Sequence, residues 1–409
     1  RVLIVPLVRI QQAIREENLS GWLFFNMRHR DNIADHVLGI AADAMNSRPW
    51  FYFIPAEGEP IKLSHSIESS ALDTLPGMQK YYFSRRELTE GLKALADTAS
   101  SAVSTRFTEP AQQLPVAVQF SKEITAISYL DYGTALLLQE AGFELASSAG
   151  LIQRTMGVLT EREIDSHRRA ALHLYEIVEK TWIMVQSHFS GKGKEGAELY
   201  EGELRDFIEH EFEKRNLITG HPPIVGAGRH SADPHYMAVG RGSRINAGDV
   251  IQFDIFARER NEKSIYADIS WVGVCSEEIP EHVRHVFEAI RTARDSAVDL
   301  IKTRLSQNSE VRGAEVDRHV REILANRGLD SYMSHRTGHA IDTEIHGSGA
   351  NIDGIEFPDN RLLLEGSCFS IEPGVYLEEF GLRTEIDVFI KNNEPVISGK
   401  EPQKRLLTL

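Results

Sequence analysis

The chain has little cysteine, no surplus of positive charge and no long apolar run. Its two cysteines, Cys275 and Cys368, each sit beside a strand-like apolar stretch, which reads as buried thiols and not a bridge, and suits a reducing compartment. The formal net charge of −15, from 45 Lys and Arg against 60 Asp and Glu, excludes the clustered basic surface that phosphate backbones or anionic lipids require. Neither nucleic acid nor membrane is an expected partner. The opening RVLIVPLV is broken by Pro6, is too short to span a bilayer and shows no small-residue cleavage pattern. The expectation is a soluble, unprocessed, cytoplasmic protein, and it extends no further than these residues because the first is not Met.

At 409 residues and 42% hydrophobic composition, the chain is long enough for two domains with buried cores. Helical periodicity covers Val8 to Glu17, followed by strand patterns at GWLFF and WFYFIP, the turn AEGEP and a strand at IKLSH. A helix in RRELTEGLKALADTA, a strand in VAVQF and a helix in YLDYGTALLLQEAG complete an α/β unit. His29, His36 and His65 lie in it without any ligand spacing. Thr160 and Glu163 then form a capping box opening a long helix toward Ser187. The boundary is accordingly placed between domains 1–154 and 155–409. The runs EGELRDFIEHEFEKR and PEHVRHVFEAIRTARDSAVDLI read as helices with solvated charged faces. No short repeat is present, but strand, acidic residue, turn, acidic residue, strand occurs at 248–275 and again at 366–391, each after helices. That loose duplication predicts two related halves facing one central site.

The acidic residues of those hairpins carry the chemistry. Asp254 in VIQFDIF and Asp268 in YADISWVGV sit among apolar neighbours, where a buried carboxylate needs an ion pair, hydrogen bonds or a metal to compensate it. Glu372 in CFSIEPGVY is fixed in direction by Pro373 and Gly374, which end its strand. Glu385 in GLRTEID shares a strand face with Arg383 and Asp387. Arg383 is expected to neutralise Glu385, a role compatible with holding the ligand or an anionic substrate group, and Asp387 to support the site from behind. Between the hairpins, SHRTGHAIDTEIHGSGAN holds His335, His339 and His346, with Gly338 placed to allow a strained turn that presents His339 inward. Asp254, Asp268, His339, Glu372 and Glu385 make five hard donors suited to a pair of divalent cations. The chain reads as a metal-dependent hydrolase. Upstream, HPPIVGAGRHSADPHY offers His221, His230 and His235 in a Gly/Pro-rich stretch, and chemistry alone does not choose among them.

These elements together, ADPHY, the Asp254 and Asp268 hairpin, HxxGHxxD with a following His346, SIEPGVY and GLRTEID, resemble the pita-bread metallopeptidases, the family of methionine aminopeptidase, Xaa-Pro aminopeptidase and prolidase. The N-terminal unit resembles the creatinase-type domain that precedes the catalytic one in prolidases. The fold implied is α/β (α+β), a creatinase-type domain followed by a pita-bread catalytic domain with pseudo-twofold halves. The resemblance implies that Asp254, Asp268, His339, Glu372 and Glu385 hold two divalent metal ions, manganese by preference with cobalt, zinc or iron also accepted, and that Asp268 and Glu385 bridge them. It implies that His235 and His346 line the substrate site, that His335 and Arg383 surround it, and that the protein is a homodimer. This sequence departs from the pattern in three places. The stretch between the two aspartates is longer, so RERNEK is read as an enlarged hairpin loop; His221 stands where many prolidases carry a tyrosine; and the arginine that receives the dipeptide carboxylate is matched only by Arg361 in FPDNR. A bacterial prolidase subgroup lacking both residues is similar.

The activity implied is hydrolysis of the imide bond in Xaa-Pro dipeptides by a hydroxide bridging the metals. Glu372 would shuttle the proton to the proline nitrogen, His346 would donate to the oxyanion, His235 would orient the proline side, and Asp254 would receive the substrate α-amino group. His221, His335, Arg361 and Arg383 complete the expected substrate contacts. The alternatives are an Xaa-Pro aminopeptidase acting on longer peptides, a non-peptidase C–N hydrolase and a peptide-binding module on the same fold.

Overall fold

The computed structural model of the protein describes residues 3, 5–104, 114–190 and 198–409. They belong to two compact units, Arg1–Met156 and Gly157–Leu409. In the first unit, strands β1 (Gly21–Asn26), β2 (Trp50–Pro55), β3 (Ile61–His65), β4 (Met78–Tyr82), β5 (Val116–Val118) and β6 (Leu145–Ser147) form one sheet in the order β4-β3-β2-β1-β5-β6. Alternation along β1 and β2 divides the core. Trp22, Phe24, Trp50 and Tyr52 pack to one side with α1 (Leu7–Glu16), α2 (Asn32–Leu38) and the helix Ala149–Thr155. Leu23, Phe25, Phe51 and Phe53 pack to the other with the helices Arg85–Ser104 and Tyr132–Glu140. The interiors of both central strands, residues 22–25 and 50–54, are therefore buried on both sides, as a sheet covered on both faces requires.

The second unit opens on a helix, Glu161–Phe189, capped as its sequence predicts: the Glu163 carboxylate accepts from the Thr160 N–H at 2.7 Å. A second helix, Glu201–Lys214, follows, then short strands β7 (Leu217–Ile218) and β8 (Ile224–Ala227) and the long antiparallel pair β9 (Val250–Glu259) and β10 (Ala267–Val274). On β9 the odd residues Ile251, Phe253, Ile255 and Ala257 pack onto the two helices. Period-two alternation leaves Asp254 and Phe256 on the opposite face. After two further helices, Glu281–Ser306 and Gly313–Ala325, the pattern recurs with β11 (Cys368–Ile371), β12 (Gly374–Tyr376), β13 (Gly381–Arg383), β14 (Ile386–Lys391) and β15 (Glu394–Ile397). Here Phe369, Ile371, Ile386, Val388 and Ile390 enter the core shared with those helices. Ser370, Glu372, Glu385 and Asp387 fall on the other face. Helix pair and acidic hairpin thus occur twice, as the sequence duplication predicts.

The two hairpins meet through backbone and side-chain hydrogen bonds. The Glu385 N–H donates to the Ser270 carbonyl at 3.1 Å, and the Asp268 N–H donates to the Asp387 carboxylate at 2.8 Å. These contacts bring the carboxylate-bearing faces of both together.

Candidate metal centre

In the first hairpin Asp254 faces Ser270 and Asp268 faces Phe256, so the aspartates share a face but are offset along it. In the second, Ile371 faces Ile386 and Gly374 faces Arg383. The register is unbroken across the gap, which sets Glu372 directly opposite Glu385. His339 reaches the same space from a segment lying along β11: its N–H donates to the Ser370 hydroxyl at 3.0 Å, and its carbonyl accepts from the Ser370 N–H at 2.9 Å. Gly338 makes this possible, but not by the strained turn its sequence suggests. Its φ is not in the left-handed region; instead, a Cβ there would lie 2.0 Å from the Ser370 carbonyl oxygen, so only glycine fits against the strand.

Asp268, His339 and Glu385 offer donor atoms within 4.8 Å of one another, all buried. Glu372 has an oxygen 3.5 Å from His339 Nε2, and Asp268 has one at the same distance. Asp254 is linked through Ser270, whose hydroxyl lies 3.3 Å from Asp254 and 2.7 Å from Glu385. All five acidic and histidine donors line one cavity of about 740 Å³.

The electrostatics show what this cluster lacks. Burial, reinforced by neighbouring carboxylates, pushes Asp268 and Glu385 well above the ordinary carboxylate range. Each also has one buried oxygen, Asp268 Oδ1 and Glu385 Oε1, with no hydrogen-bond partner among the described residues. His339 is held neutral, lowered to about 3 chiefly by burial. Its Nδ1 lies 3.2 Å from the Ala340 carbonyl, which fixes the proton there and leaves the Nε2 lone pair facing two carboxylates. A lone pair and carboxylate oxygens at 3.5 Å repel unless a cation lies among them. The hard oxygen-rich donor set, the orphaned oxygens and the inward lone pair all fit divalent metal.

Arg383 behaves differently from expectation. Its guanidinium pairs with Asp254, not Glu385, and its Nε lies 2.9 Å from the Ser270 hydroxyl and 3.7 Å from Glu372. A further N–H donates to the Tyr376 hydroxyl at 3.3 Å, and that hydroxyl lies 2.7 Å from His335 Nε2. His335 Nδ1 is 2.6 Å from the Arg336 carbonyl, so both ring nitrogens are occupied although the ring lines the cavity. His221, His235 and His346 also line it. The His346 ring packs edge-on to His339 with centroids 4.4 Å apart, and burial followed by the Arg336 charge lowers it to about 4. Arg361 is placed elsewhere: it is not among the cavity residues, and its guanidinium is committed to Asp359 and to the Ser348 and Gly349 carbonyls at 2.7, 2.7 and 2.6 Å. His230 pairs with Glu201 at 2.8 Å, away from the cavity. Ser270 and Tyr376 are the participants that the sequence reading leaves unassigned. Ser270 shares a strand face with Asp268, but nothing in the sequence marks it out until Glu385 is known to lie beside it.

The profile of metallopeptidase family M24 matches residues 165–392, more than half of the 409-residue chain. The chain belongs to that family, whose name denotes metal-dependent hydrolysis of peptides, and the resemblance to pita-bread enzymes is thereby established at the level of family. Among individual relatives, an Xaa-Pro dipeptidase from Lactobacillus delbrueckii subsp. lactis is 31% identical over 189 residues, 44% of this chain and 45% of that protein. The matched stretch thus spans less than half of that relative. A probable dipeptidase PepE from Mycobacterium bovis is 26% identical over 293 residues, 69% of this chain and 68% of that protein. The crystal structure of a dipeptidase PepE from Mycobacterium ulcerans superposes with TM-score 0.67 at 20% identity, covering 98% of this chain and 96% of that one. A prolidase from Thermococcus sibiricus gives 0.58 at 22% identity, covering 98% of each. These likenesses show the fold, a two-domain mixed α/β architecture. No helix among the described residues is long and apolar enough to cross a membrane.

Proposed function

We propose that the protein is a metal-dependent dipeptidase that hydrolyses the imide bond of Xaa-Pro dipeptides, with Asp254, Asp268, His339, Glu372 and Glu385 holding two divalent cations, manganese by preference. The observation that carries the proposal is that Asp268 and Glu385 each keep one buried oxygen without a hydrogen-bond partner among the described residues, in a buried group with His339 whose donor atoms lie within 4.8 Å of one another. Divalent cations bound there supply Lewis acidity and a water-derived nucleophile at neutral pH. Asp268 and Glu385, which have the free oxygens, are the residues suited to bridge.

The remaining roles follow from placement. Glu372 sits between His339 and Arg383 and is the carboxylate suited to take a proton from the attacking water and deliver it to the proline nitrogen. His346, neutral and accessible from the cavity, is suited to donate a hydrogen bond to the developing oxyanion. Asp254, offset from Asp268 and held by Arg383, is suited to receive the substrate ammonium group. His235 and His221 stand on the cavity wall for the proline side. The unit from Gly157 onward is read as the catalytic domain, and the reading includes a homodimer in the cytoplasm.

The test is hydrolysis of Ala-Pro, Met-Pro, Ala-Pro-Ala and Ala-Ala by metal-stripped protein before and after Mn is added. Cleavage restored by metal and confined to the Xaa-Pro dipeptides is expected; cleavage of Ala-Pro-Ala with equal efficiency would make the protein an aminopeptidase, and no cleavage under any metal would refute a peptidase. Glu372→Gln is expected to retain at least part of its metal while turnover falls by about 10²- to 10⁴-fold. A near-normal rate would remove Glu372 from proton transfer.

A further inference from the structure

A dipeptidase that recognises the free carboxylate distinguishing its substrate from a longer peptide is best served by a guanidinium in the cavity with its donors free. Arg361 is not in the cavity, and its guanidinium already serves Asp359 and two backbone carbonyls. Arg383 is in the cavity, but each of its three guanidinium nitrogens already donates, to Asp254, Ser270 and Tyr376. No lysine lines the cavity among the described residues. Arg336 does line it, and among the described residues its guanidinium has no hydrogen bond or ion pair.

The backbone around Arg336 is nevertheless fixed on every side. Its N–H donates to the Glu356 carboxylate at 3.1 Å, and its carbonyl lies 2.6 Å from His335 Nδ1. The next residue, Thr337, gives both its N–H and its hydroxyl to the fully buried Asp317, at 3.0 and 2.6 Å. Asp317 also accepts from the Gly354 N–H at 2.9 Å, tying this loop to the segment that carries Glu356. A side chain left free on an anchored backbone is a preorganised receptor, since little backbone freedom remains to be lost on binding. Arg336 and His346, the residue suited to face the scissile carbonyl, line the same cavity.

We propose that Arg336 receives the C-terminal carboxylate of the substrate, so that this chain reads dipeptide length through the HRTGH segment and not through Arg361. The assignment rests on the dipeptidase reading above and gives it a source of length selectivity. A planar guanidinium can take a carboxylate in two parallel hydrogen bonds, which neither an amide nor a continuing peptide can reproduce.

The experiment compares Mn-loaded wild type, Arg336→Lys and Arg336→Met on Ala-Pro and on Ala-prolinamide, with calorimetric titration of each protein by L-proline and L-prolinamide. Wild type is expected to prefer the acid in both assays. Arg336→Met should raise KM for Ala-Pro by about 10- to 100-fold, as loss of a charged hydrogen-bonded pair predicts, while KM for the amide moves by less than about twofold. Arg336→Lys should fall between them, and kcat should change little. An acid preference that survives in Arg336→Met, with Ala-Pro still cleaved, would overturn the assignment and leave the dipeptidase reading standing. A wild type that cleaves neither substrate but binds proline over prolinamide through Arg336 would do the reverse.

Discussion

Each acidic hairpin supplies two of the candidate metal-holding carboxylates, but in different registers. In the β9–β10 pair the aspartates are offset by one cross-strand step, Asp254 facing Ser270 and Asp268 facing Phe256. In the β11–β14 pair the glutamates stand opposite each other where the ladder is interrupted. The offset lets Arg383 pair with Asp254, while among the described residues Asp268 and Glu385 have no ion pair with a lysine or arginine. The functional pairing therefore runs between hairpins: Asp268 with Glu385 as an uncompensated pair, Asp254 under the charge of Arg383. One pair is incomplete without metal; the other is already satisfied.

The sharpest way to break this contrast is to neutralise one member of each kind. Asp268→Asn or Glu385→Gln should lower turnover by at least about 10³-fold and abolish stabilisation by Mn, which for wild type amounts to about 2.7 kcal/mol per site at 100 times Kd. Thermal melts with and without Mn measure this. In the metal-free state the same substitutions should raise the melting temperature, because a raised carboxyl pKa means the folded protein disfavours the charged form. The sign for metal follows from the same shift. These carboxyls hold protons more tightly folded than unfolded, so their favourable contribution to stability is complete below the unfolded carboxyl pKa and is lost as pH rises through the folded one. Cations must displace those protons, so Mn affinity should increase with pH and binding should release protons, measurable by calorimetry in buffers of different ionisation enthalpy. A metal-free Asp268→Asn less stable than wild type would show that the pair is not frustrated.

Asp254→Asn tests the other side. It leaves the Arg383 guanidinium, 3% exposed, without its closest counter-charge, and should destabilise the metal-free protein by about 3–5 kcal/mol. Denaturant titration reads this directly, and a stability equal to wild type would show that Glu372 alone suffices to neutralise Arg383.

A smaller effect comes from behind the second hairpin. His167 is fully buried; its Nδ1 is 2.6 Å from the Tyr266 carbonyl and its Nε2 2.7 Å from the Ser398 hydroxyl. Burial lowers it to about 4, so the neutral ring is the folded form. Its contribution to stability is complete above the unfolded histidine pKa, about 6.5, and lost as pH falls from there toward 4. On the order of 2–3 kcal/mol should disappear across that window. His167→Gln should flatten the slope of stability against pH between 6.5 and 4; an unchanged slope would assign the acid sensitivity to other groups.

The fold and the carboxylates were legible for one reason: a charged residue in an apolar strand demands an explanation, and Asp254 and Asp268 stand in such a strand while Glu385 immediately precedes one. The capping box at Thr160 was equally readable, because its two partners are local. Ser270 was silent, since a hydroxyl in a strand is cheap to satisfy and signals nothing until Glu385 is known to lie beside it. Tyr376 was visible only as part of a motif. Arg361 was misplaced because alignment by order along the chain says where an arginine falls but not which acceptors claim it. Arg383 shared a face with Glu385 as alternation required, yet pairing was decided by the neighbouring hairpin, a long-range fact that strand periodicity does not contain.

The smallest expected effect concerns the longer connection in the first hairpin. Residues 261–263 are exposed, whereas on their C-terminal side Ile265 and Tyr266 are anchored: the Ile265 N–H donates to the Ser166 hydroxyl at 3.1 Å and the Tyr266 N–H to the Asp342 carbonyl at 3.0 Å. The ladder itself runs without a bulge from Val250 opposite Val274 to Ala257 opposite Ala267. Register is held by packing, because a slip of one residue would turn Asp254 and Asp268 toward the helices and Ile255 and Ile269 toward the cavity. Deleting Asn261–Lys263 should therefore leave Mn affinity and turnover within about twofold and alter stability by less than about 1 kcal/mol, since loop-closure entropy changes slowly with length. If the deletion instead abolished metal binding, the loop and not the hydrophobic face would set the offset between the aspartates, and the difference between the two hairpins would have its origin in that insertion.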